Sequence, residues 1–139
     1  MRQSQAKLRV ETTGPGLYDI TREVQEVVAK SAVLTGLAHV FCRHTSCSLL
    51  IQENADPDVQ RDLAAFFRRL VPDGDPLFVH RAEGPDDMPA HVKAALTQTT
   101  LSIPIAGGRM QLGTWQGIYL FEHRHAPHSR SLIVHVIGM

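Results

Sequence analysis

The chain has 139 residues and a mass of 15.4 kDa, which suits a single domain over residues 1–139 with a core that needs no disulfide staples. Hydrophobic residues make up 43% and charged residues 20%, so a largely disordered chain and a fibrous chain are both excluded. The 14 basic residues balance the 14 acidic ones, so no overall positive field would attract nucleic acid or an anionic membrane.

The first half of the chain predicts strands around one amphipathic helix. A strand is predicted over 5–13, and the Gly-Pro-Gly sequence at 14–16 predicts a turn. A helix follows to about Val33, because Asp19 or Thr21 can cap it and one face is apolar at Ile20, Val24, Val27 and Val28. Runs of β-forming residues then predict strands over 37–43 and 46–52, with a bend at 45–46.

The second half contains the clearest predicted helix. Asp56 is an N-cap residue, Pro57 suits the first helical position, and apolar residues follow at 59, 63, 66, 67 and 70. The Pro-rich turn at 72–76 ends this helix. A short helix is predicted over 88–97, a hairpin turn at Gly107-Gly108, and strands over 99–105, 110–112, 118–124 and 131–137. Pro104 places its strand at a sheet edge or near a strand end.

Strands dominate, and they do not alternate strictly with helices. This pattern predicts an α+β fold with a mainly antiparallel β-sandwich and two or three flanking helices. No apolar stretch approaches the roughly 20 residues that cross a bilayer, and the N-terminal residues lack the apolar part of a signal peptide. Cys42 and Cys47 lie an odd number of residues apart, so on one continuous strand they would face opposite sides. We therefore expect reduced thiols and a cytoplasmic protein.

Polar residues follow two of the predicted strands. The strands over 37–43 and 118–124 begin with apolar residues on both faces, which is typical of central strands covered on both sides. If their polar ends are neighbours, His44, Glu122 and the His123-Arg124 pair line one cleft. The alternative is simple fraying of both strands into loops.

The segment over 80–91 holds two histidines and three carboxylates around a Gly-Pro turn. Imidazole and carboxylate ligands together suit a divalent metal ion, although the spacing matches no standard zinc signature. The alternative is that Asp86 or Asp87 caps the helix that starts near Met88. Both can be true at once, because a helix N-terminus also attracts anions.

The glycine-rich segment over 107–117 is a third polar cluster. Its four glycines would let the backbone approach a ligand closely. Arg109 could bind a phosphate group through two hydrogen bonds, and Trp115 offers a flat face to a planar ring. The alternative is a β-hairpin whose tryptophan belongs to the core.

Five motifs occur in order along the chain: HTS at 44–46, ENADP at 53–57, EGPDDMPAH at 83–91, GTWQG at 113–117 and EHR at 122–124. They resemble the YjbQ-like family, also called the secondary thiamine-phosphate synthase family, over nearly the whole chain from about Gly16. Cys47 and Gln52 depart from the Ala and Asn that similar chains often carry. The resemblance implies an α+β fold built on a β-sandwich, a homotrimer, a polar His/acid site able to hold a metal, and a thiamine phosphate synthase activity that is either the main reaction or a side activity.

We expect an enzyme that acts on a small phosphorylated metabolite, with no nucleic-acid or membrane partner. The expected cofactor is a divalent metal, either zinc, manganese or magnesium, and histidine ligands suit zinc or another transition metal better than magnesium. The alternatives are a metal-dependent hydrolase with Glu83 or Asp87 as base, and a non-catalytic trimeric module that binds a small anion or a metal. The expected site residues are catalytic Glu83, Asp87 and His44; metal-binding His80, His91 and His123; and substrate-binding Arg109, Thr114, Trp115, Gln116 and Arg124.

Overall fold

A computed structural model describes the whole chain, from Met1 to Met139, as an α+β fold with eight strands and three helices. The elements in chain order are β1 Arg2–Thr12, β2 Gly16–Asp19, α1 Thr21–Ser31, β3 Thr35–Cys42, β4 Cys47–Glu53, α2 Pro57–Leu70, α3 Asp87–Leu96, β5 Thr100–Ala106, β6 Arg109–Met110, β7 Gln116–Glu122 and β8 His128–Gly138.

The strands form two antiparallel sheets. The large sheet has the order β1-β8-β3-β5-β6, and the small sheet has the order β2-β7-β4. A single bridge between Leu49 of β4 and Gln98 connects them beside the start of β5. The predicted antiparallel sandwich with flanking helices is therefore confirmed.

The alternation of side chains along β7 explains the three layers of the molecule. Ile118 and Leu120 join one buried apolar cluster with α1 and the inner face of the large sheet. Phe121 points to the opposite side, where its ring packs edge-on against Phe67 of α2 at 5.4 Å between centroids. The small sheet is thus the middle layer, with the large sheet on one side and α2 and α3 on the other.

Several element boundaries differ from the prediction. Residues 16–19 form β2, a strand of four residues that is too short to show a period of two, and it pairs with β7 from Gly16–Glu122 to Asp19–Tyr119. β1 begins at Arg2 because its polar N-terminal residues pair along the full length of β8. The strongest predicted helix begins as expected, since Asp56 accepts a hydrogen bond from the backbone N–H of Asp58 at 2.9 Å.

The predicted burial of the two central strands is only half correct. β7 is buried on both faces, as expected. In β3 the inward-facing Ala38 and Val40 are fully buried, but Leu37 is 40% exposed and Phe41 is 49% exposed on the other face. The reason is that all three helices lie away from the outer face of the large sheet, so this apolar face of β3 stays open in the single chain.

The two cysteines lie on different strands. Cys42 ends β3 and Cys47 begins β4, and the chain bends between them, so their Sγ atoms approach to 3.5 Å. They are free and buried. The two thiols are unpaired, as expected, but the argument from one continuous strand does not apply, because the cysteines lie on two strands. None of the three helices combines the length and the apolar character that a membrane-spanning helix requires.

Candidate functional site

The three consecutive polar residues at the end of β7 enter three different environments. Glu122 continues the inward face and lies between the two sheets, where it contacts Arg130. His123 lies on the opposite face, in the layer beneath the helices, and contacts Ser48. Arg124 extends past the strand end to the start of α3. The expected single cleft at this point is therefore divided into three adjoining clusters.

The first cluster, which we call the His–Asp group, consists of His80, Asp87 and His91. Their ligand atoms all lie within 4.8 Å of one another. Asp87 Oδ2 is 2.8 Å from His80 Nε2 and 3.2 Å from His91 Nε2. Asp87 is 1% exposed, whereas the two imidazole rings lie at the surface side of it. The helical spacing of four residues places Asp87 and His91 on the same face of α3.

Both ring nitrogens of His91 face hydrogen-bond acceptors. His91 Nδ1 donates to the backbone carbonyl of Thr45 at 2.8 Å. Its Nε2 faces the Asp87 carboxylate, which is also an acceptor. Either this ring carries protons on both nitrogens, or a metal ion takes the place of the Nε2 proton. The carbonyl of Thr45 orients the ring for the second arrangement, as outer partners of metal-binding histidines commonly do.

Arg124 organises the acidic side of this group. Its guanidinium donates to Asp86 Oδ2 at 3.0 Å, to Asp87 Oδ1 at 2.8 Å and to the carbonyl of Glu83 at 3.0 Å. Burial alone would raise the pKa of Asp86, but hydrogen bonds from the His125 N–H and from Arg124 outweigh it and lower the pKa. The pKa of Asp87 is also lowered against the effect of burial, chiefly by its contact with His80. Both carboxylates are therefore ionised at neutral pH.

The interpretation of Asp86 as a helix cap does not hold. Asp86 occupies the N-cap position of α3, but its side chain makes no capping hydrogen bond. Its Oδ2 accepts instead from Arg124 and from the backbone N–H of His125 at 2.9 Å. The carboxylates at this helix start thus hold the loop after β7. Glu83 is exposed, and its side chain contacts Asp87, a contact that helps to lower the pKa of the Asp87 carboxyl.

The second cluster, between the sheets, contains Glu122, Arg130, Thr12 and His44. Glu122 Oε1 accepts from Arg130 Nε and from Thr12 Oγ1, each at 2.7 Å, and its other oxygen contacts Arg130 Nη2. Burial would raise the pKa of Glu122, but the bonds from Arg130 and Thr12 outweigh it and lower the pKa. His44 Nε2 accepts from the backbone N–H of Ser131 at 2.8 Å, and burial together with Arg130 lowers the pKa of His44. His44 is therefore neutral, with Nε2 already occupied.

Sequence reasoning did not single out Arg130. The signal was available, because Arg130 shares the inward-facing positions of β8 with Leu132, Val134 and Val136. A charged residue in such a series must meet a buried partner. Arg130 is 4% exposed, and its Nη2 also donates to Ser46 Oγ at 3.1 Å.

His123 occupies the third cluster and does not join the His–Asp group. It is 3% exposed, and its Nε2 is 2.9 Å from Ser48 Oγ. Burial, aided by the charge of Lys93, lowers the pKa of His123 to about 3, so the ring is neutral. Lys93 was not singled out from the sequence either.

The expected substrate-binding residues of the glycine-rich segment lie far from these clusters. Thr114 and Trp115 precede β7 and Gln116 begins it, whereas the clusters lie at its other end, about 20 Å away at roughly 3.4 Å per residue. Trp115 is 63% exposed, so it is not a core tryptophan. Arg109 is exposed on β6, beside the end of β5 that is remote from Cys42. Of the expected substrate-binding residues, only Arg124 contacts the His–Asp group within one chain.

Known proteins resemble this chain over nearly its full length. Residues 6–139 match the family model described as "UPF0047 protein YjbQ-like". The UPF0047 protein sll1880 of Synechocystis is 56% identical over 99% of this chain and 93% of that protein. The UPF0047 protein YjbQ of Escherichia coli O157:H7 is 42% identical over 96% and 97%. The crystal structure of an uncharacterized YjbQ/UPF0047 protein from Clostridium acetobutylicum has a TM-score of 0.88 at 37% identity and covers 95% of this chain and 99% of that one.

Proposed function

The chain belongs to the UPF0047 YjbQ-like family, and we propose that it is an enzyme that holds a divalent transition-metal ion at the His–Asp group and acts on a small phosphorylated metabolite. The observation that carries this proposal is the convergence of His80, Asp87 and His91 within 4.8 Å. The buried carboxylate and the paired acceptors around His91 favour a cation at this point.

The donor set favours zinc or manganese over magnesium. Two imidazole nitrogens and one carboxylate are typical of zinc sites that keep a position for water or substrate, whereas magnesium prefers oxygen ligands. When bound, such an ion would polarise the phosphate oxygens of a substrate. Arg124 would hold Asp87 in place through its bond to Oδ1, which leaves Oδ2 for the metal.

Glu83 would be the acid/base residue of this site. Its carbonyl is held by Arg124 Nη2, so the backbone is fixed. Its carboxylate is exposed and lies beside the Asp87 carboxylate, so it is placed to accept or return a proton at the His–Asp group. His44 suits a positioning role better, because its Nε2 is bound to a backbone N–H of β8.

The first reaction to assay is thiamine phosphate formation, which the family resemblance suggests. In that reaction the ring nitrogen of a thiazole phosphate attacks the methylene carbon of a pyrimidine methyl pyrophosphate, and pyrophosphate leaves. The second candidate is metal-assisted hydrolysis of a phosphate ester. It is favoured by the combination of a two-histidine, one-carboxylate donor set with an exposed glutamate, Glu83, beside it.

We further propose a homotrimer with the site near a subunit boundary. Two observations support an association between copies. Leu37 and Phe41 leave an apolar area open on the outer face of the large sheet, and Val79 beside the His–Asp group is 92% exposed. Trp115 and its neighbours are remote from the His–Asp group within one chain, so only a second copy could bring the two together.

The proposed roles are tested with Glu83→Gln and Asp87→Asn, which remove charge and keep the shape. Each should lower turnover by about 10²–10⁴-fold if the residue acts in the chemistry. Glu26→Gln, on an exposed face of α1, is the matched control and should keep the parent rate. A binding module would instead take up ligand stoichiometrically without product, and Glu83→Gln would change affinity alone. If both variants match the parent in rate but melt earlier, the 80–91 segment is structural.

A further inference from the structure

A small pocket lies between α2 and the outer face of the small sheet, separate from the His–Asp group. Phe67 of α2 and Phe121 of β7 form its apolar wall, and His123, Lys93 and Arg68 supply polar groups. Its volume is about 60 Å³, several times the roughly 10–15 Å³ that a cavity needs to hold one water molecule. The pocket therefore has room for a small polar group.

His123 presents a ring nitrogen without a hydrogen-bond partner to this pocket. His123 Nε2 is 2.9 Å from Ser48 Oγ, which is 2.6 Å from Thr97 Oγ1. The single Thr97 hydroxyl proton also faces the Lys93 carbonyl at 2.9 Å, so either ring nitrogen of His123 can carry the proton. Nδ1 has no hydrogen-bond partner within the chain. Every fully enclosed side-chain nitrogen or oxygen except Ser131 Oγ has a partner, so Nδ1 must open into the pocket that His123 lines.

Of the charged side chains around the pocket, only basic ones lack a hydrogen-bond or ion-pair partner. Glu122 is bound by Arg130, and Asp73 is bound by His125 Nε2 at 2.7 Å. Lys93 is half-buried, yet its ammonium makes no hydrogen bond or ion pair within the chain, and Arg68 at the rim likewise has no partner. A half-buried ammonium beside an unpartnered imidazole nitrogen favours an acceptor from outside the chain.

We propose that this pocket binds a small oxyanion, a carboxylate or phosphate group, through Lys93 and through His123 in the tautomer that carries the ring proton on Nδ1. Arg68 adds positive charge at the rim, and the two phenylalanine rings exclude water from one side, which strengthens the hydrogen bonds inside. The binding uses no residue of the His–Asp group. It therefore stands whether or not the metal and the activity proposed above are confirmed.

The test is a titration of the chelator-treated full chain, followed through the imidazole nitrogen resonances. Phosphate and acetate are added separately at pH 7.5, with sodium chloride holding the ionic strength constant. The His123 Nδ1 resonance should shift and saturate with at least one of the two anions, and the anion that saturates identifies the chemical class. Lys93→Gln should weaken binding about tenfold or more, as expected for one lost charge-assisted hydrogen bond.

The matched control is Arg69→Gln, since Arg69 is the exposed neighbour of Arg68 but does not line the pocket. It should bind within about twofold of the parent. Arg68→Gln is a second test variant at an exposed position, where a folding defect is not expected, and it should weaken binding more than Arg69→Gln does. A His123 resonance that ignores both anions, or equal binding by the parent and Lys93→Gln, would overturn the proposal.

Discussion

Replacing Glu122 by Gln tests the buried ion pair that joins the two sheets. Glu122 is 0% exposed, and its two oxygens accept from Arg130, Thr12 and the backbone N–H groups of His123 and Arg124. Glutamine has nearly the same shape, but its NH₂ group would face one of these donors. Arg130, itself 4% exposed, would also lose its counter-charge.

The expected cost follows from the burial of both groups. Removing one partner of a buried pair costs about 3–5 kcal/mol of unfolding free energy. Unfolding entropy is about 2.1 cal/mol/K per residue, or about 290 cal/mol/K for the 139 residues of this chain. The melting temperature should therefore fall by about 10–17 °C.

Calorimetry and urea unfolding of Glu122→Gln at pH 7 measure this change. The pKa of Glu122 is lowered in the folded state, so the stabilisation is complete above the unfolded pKa of about 4.3 and is lost as pH falls through the lower folded pKa. The gap between parent and variant should thus be constant from pH 6 to 8 and narrow in acid. Glu11→Gln, at an exposed carboxylate that accepts from Ser129, should cost less than about 0.5 kcal/mol. A Glu122→Gln variant as stable as Glu11→Gln would refute the reasoning.

Three further predictions concern the metal, the buried histidine and the assembly. Calorimetric titration should show that the parent binds zinc or manganese and that His80→Ala and His91→Ala each bind it more than about 100-fold more weakly. The control His135→Ala, whose ring lies on the outer face of β8, should bind like the parent. Unchanged binding by His80→Ala and His91→Ala would contradict the metal site. The His123 ring should stay neutral in an NMR titration down to about pH 4, because burial lowers its pKa to about 3, and a midpoint near 6.5 would contradict its placement. Light scattering should give a mass about three times 15.4 kDa, and a mass near that of one chain at micromolar concentration would exclude the trimer.

Local sequence patterns were sufficient for most of the elements. The helix after Asp56 was predicted with its cap, because a capping carboxylate, a proline at the first position and apolar spacing all act within one turn or two. The strand at 16–19 was missed, since its pairing with β7 comes from residues about 100 positions away. The open outer face of β3 was missed for the same reason, because apolar composition does not specify what covers each face.

The sequence by itself determined the family, the α+β class and the segment over 80–91 that holds the His–Asp group, because these depend on ordered motifs and local spacing. Only the tertiary structure decided how the polar residues divide. The period of two in β7 sends Glu122 between the sheets and His123 beneath the helices, so neighbours in sequence enter different sites. The tertiary structure likewise decided that Glu122 pairs with Arg130 and that Lys93 has no hydrogen-bond or ion-pair partner. Such pairings are set by packing across strands and layers, which no local pattern records.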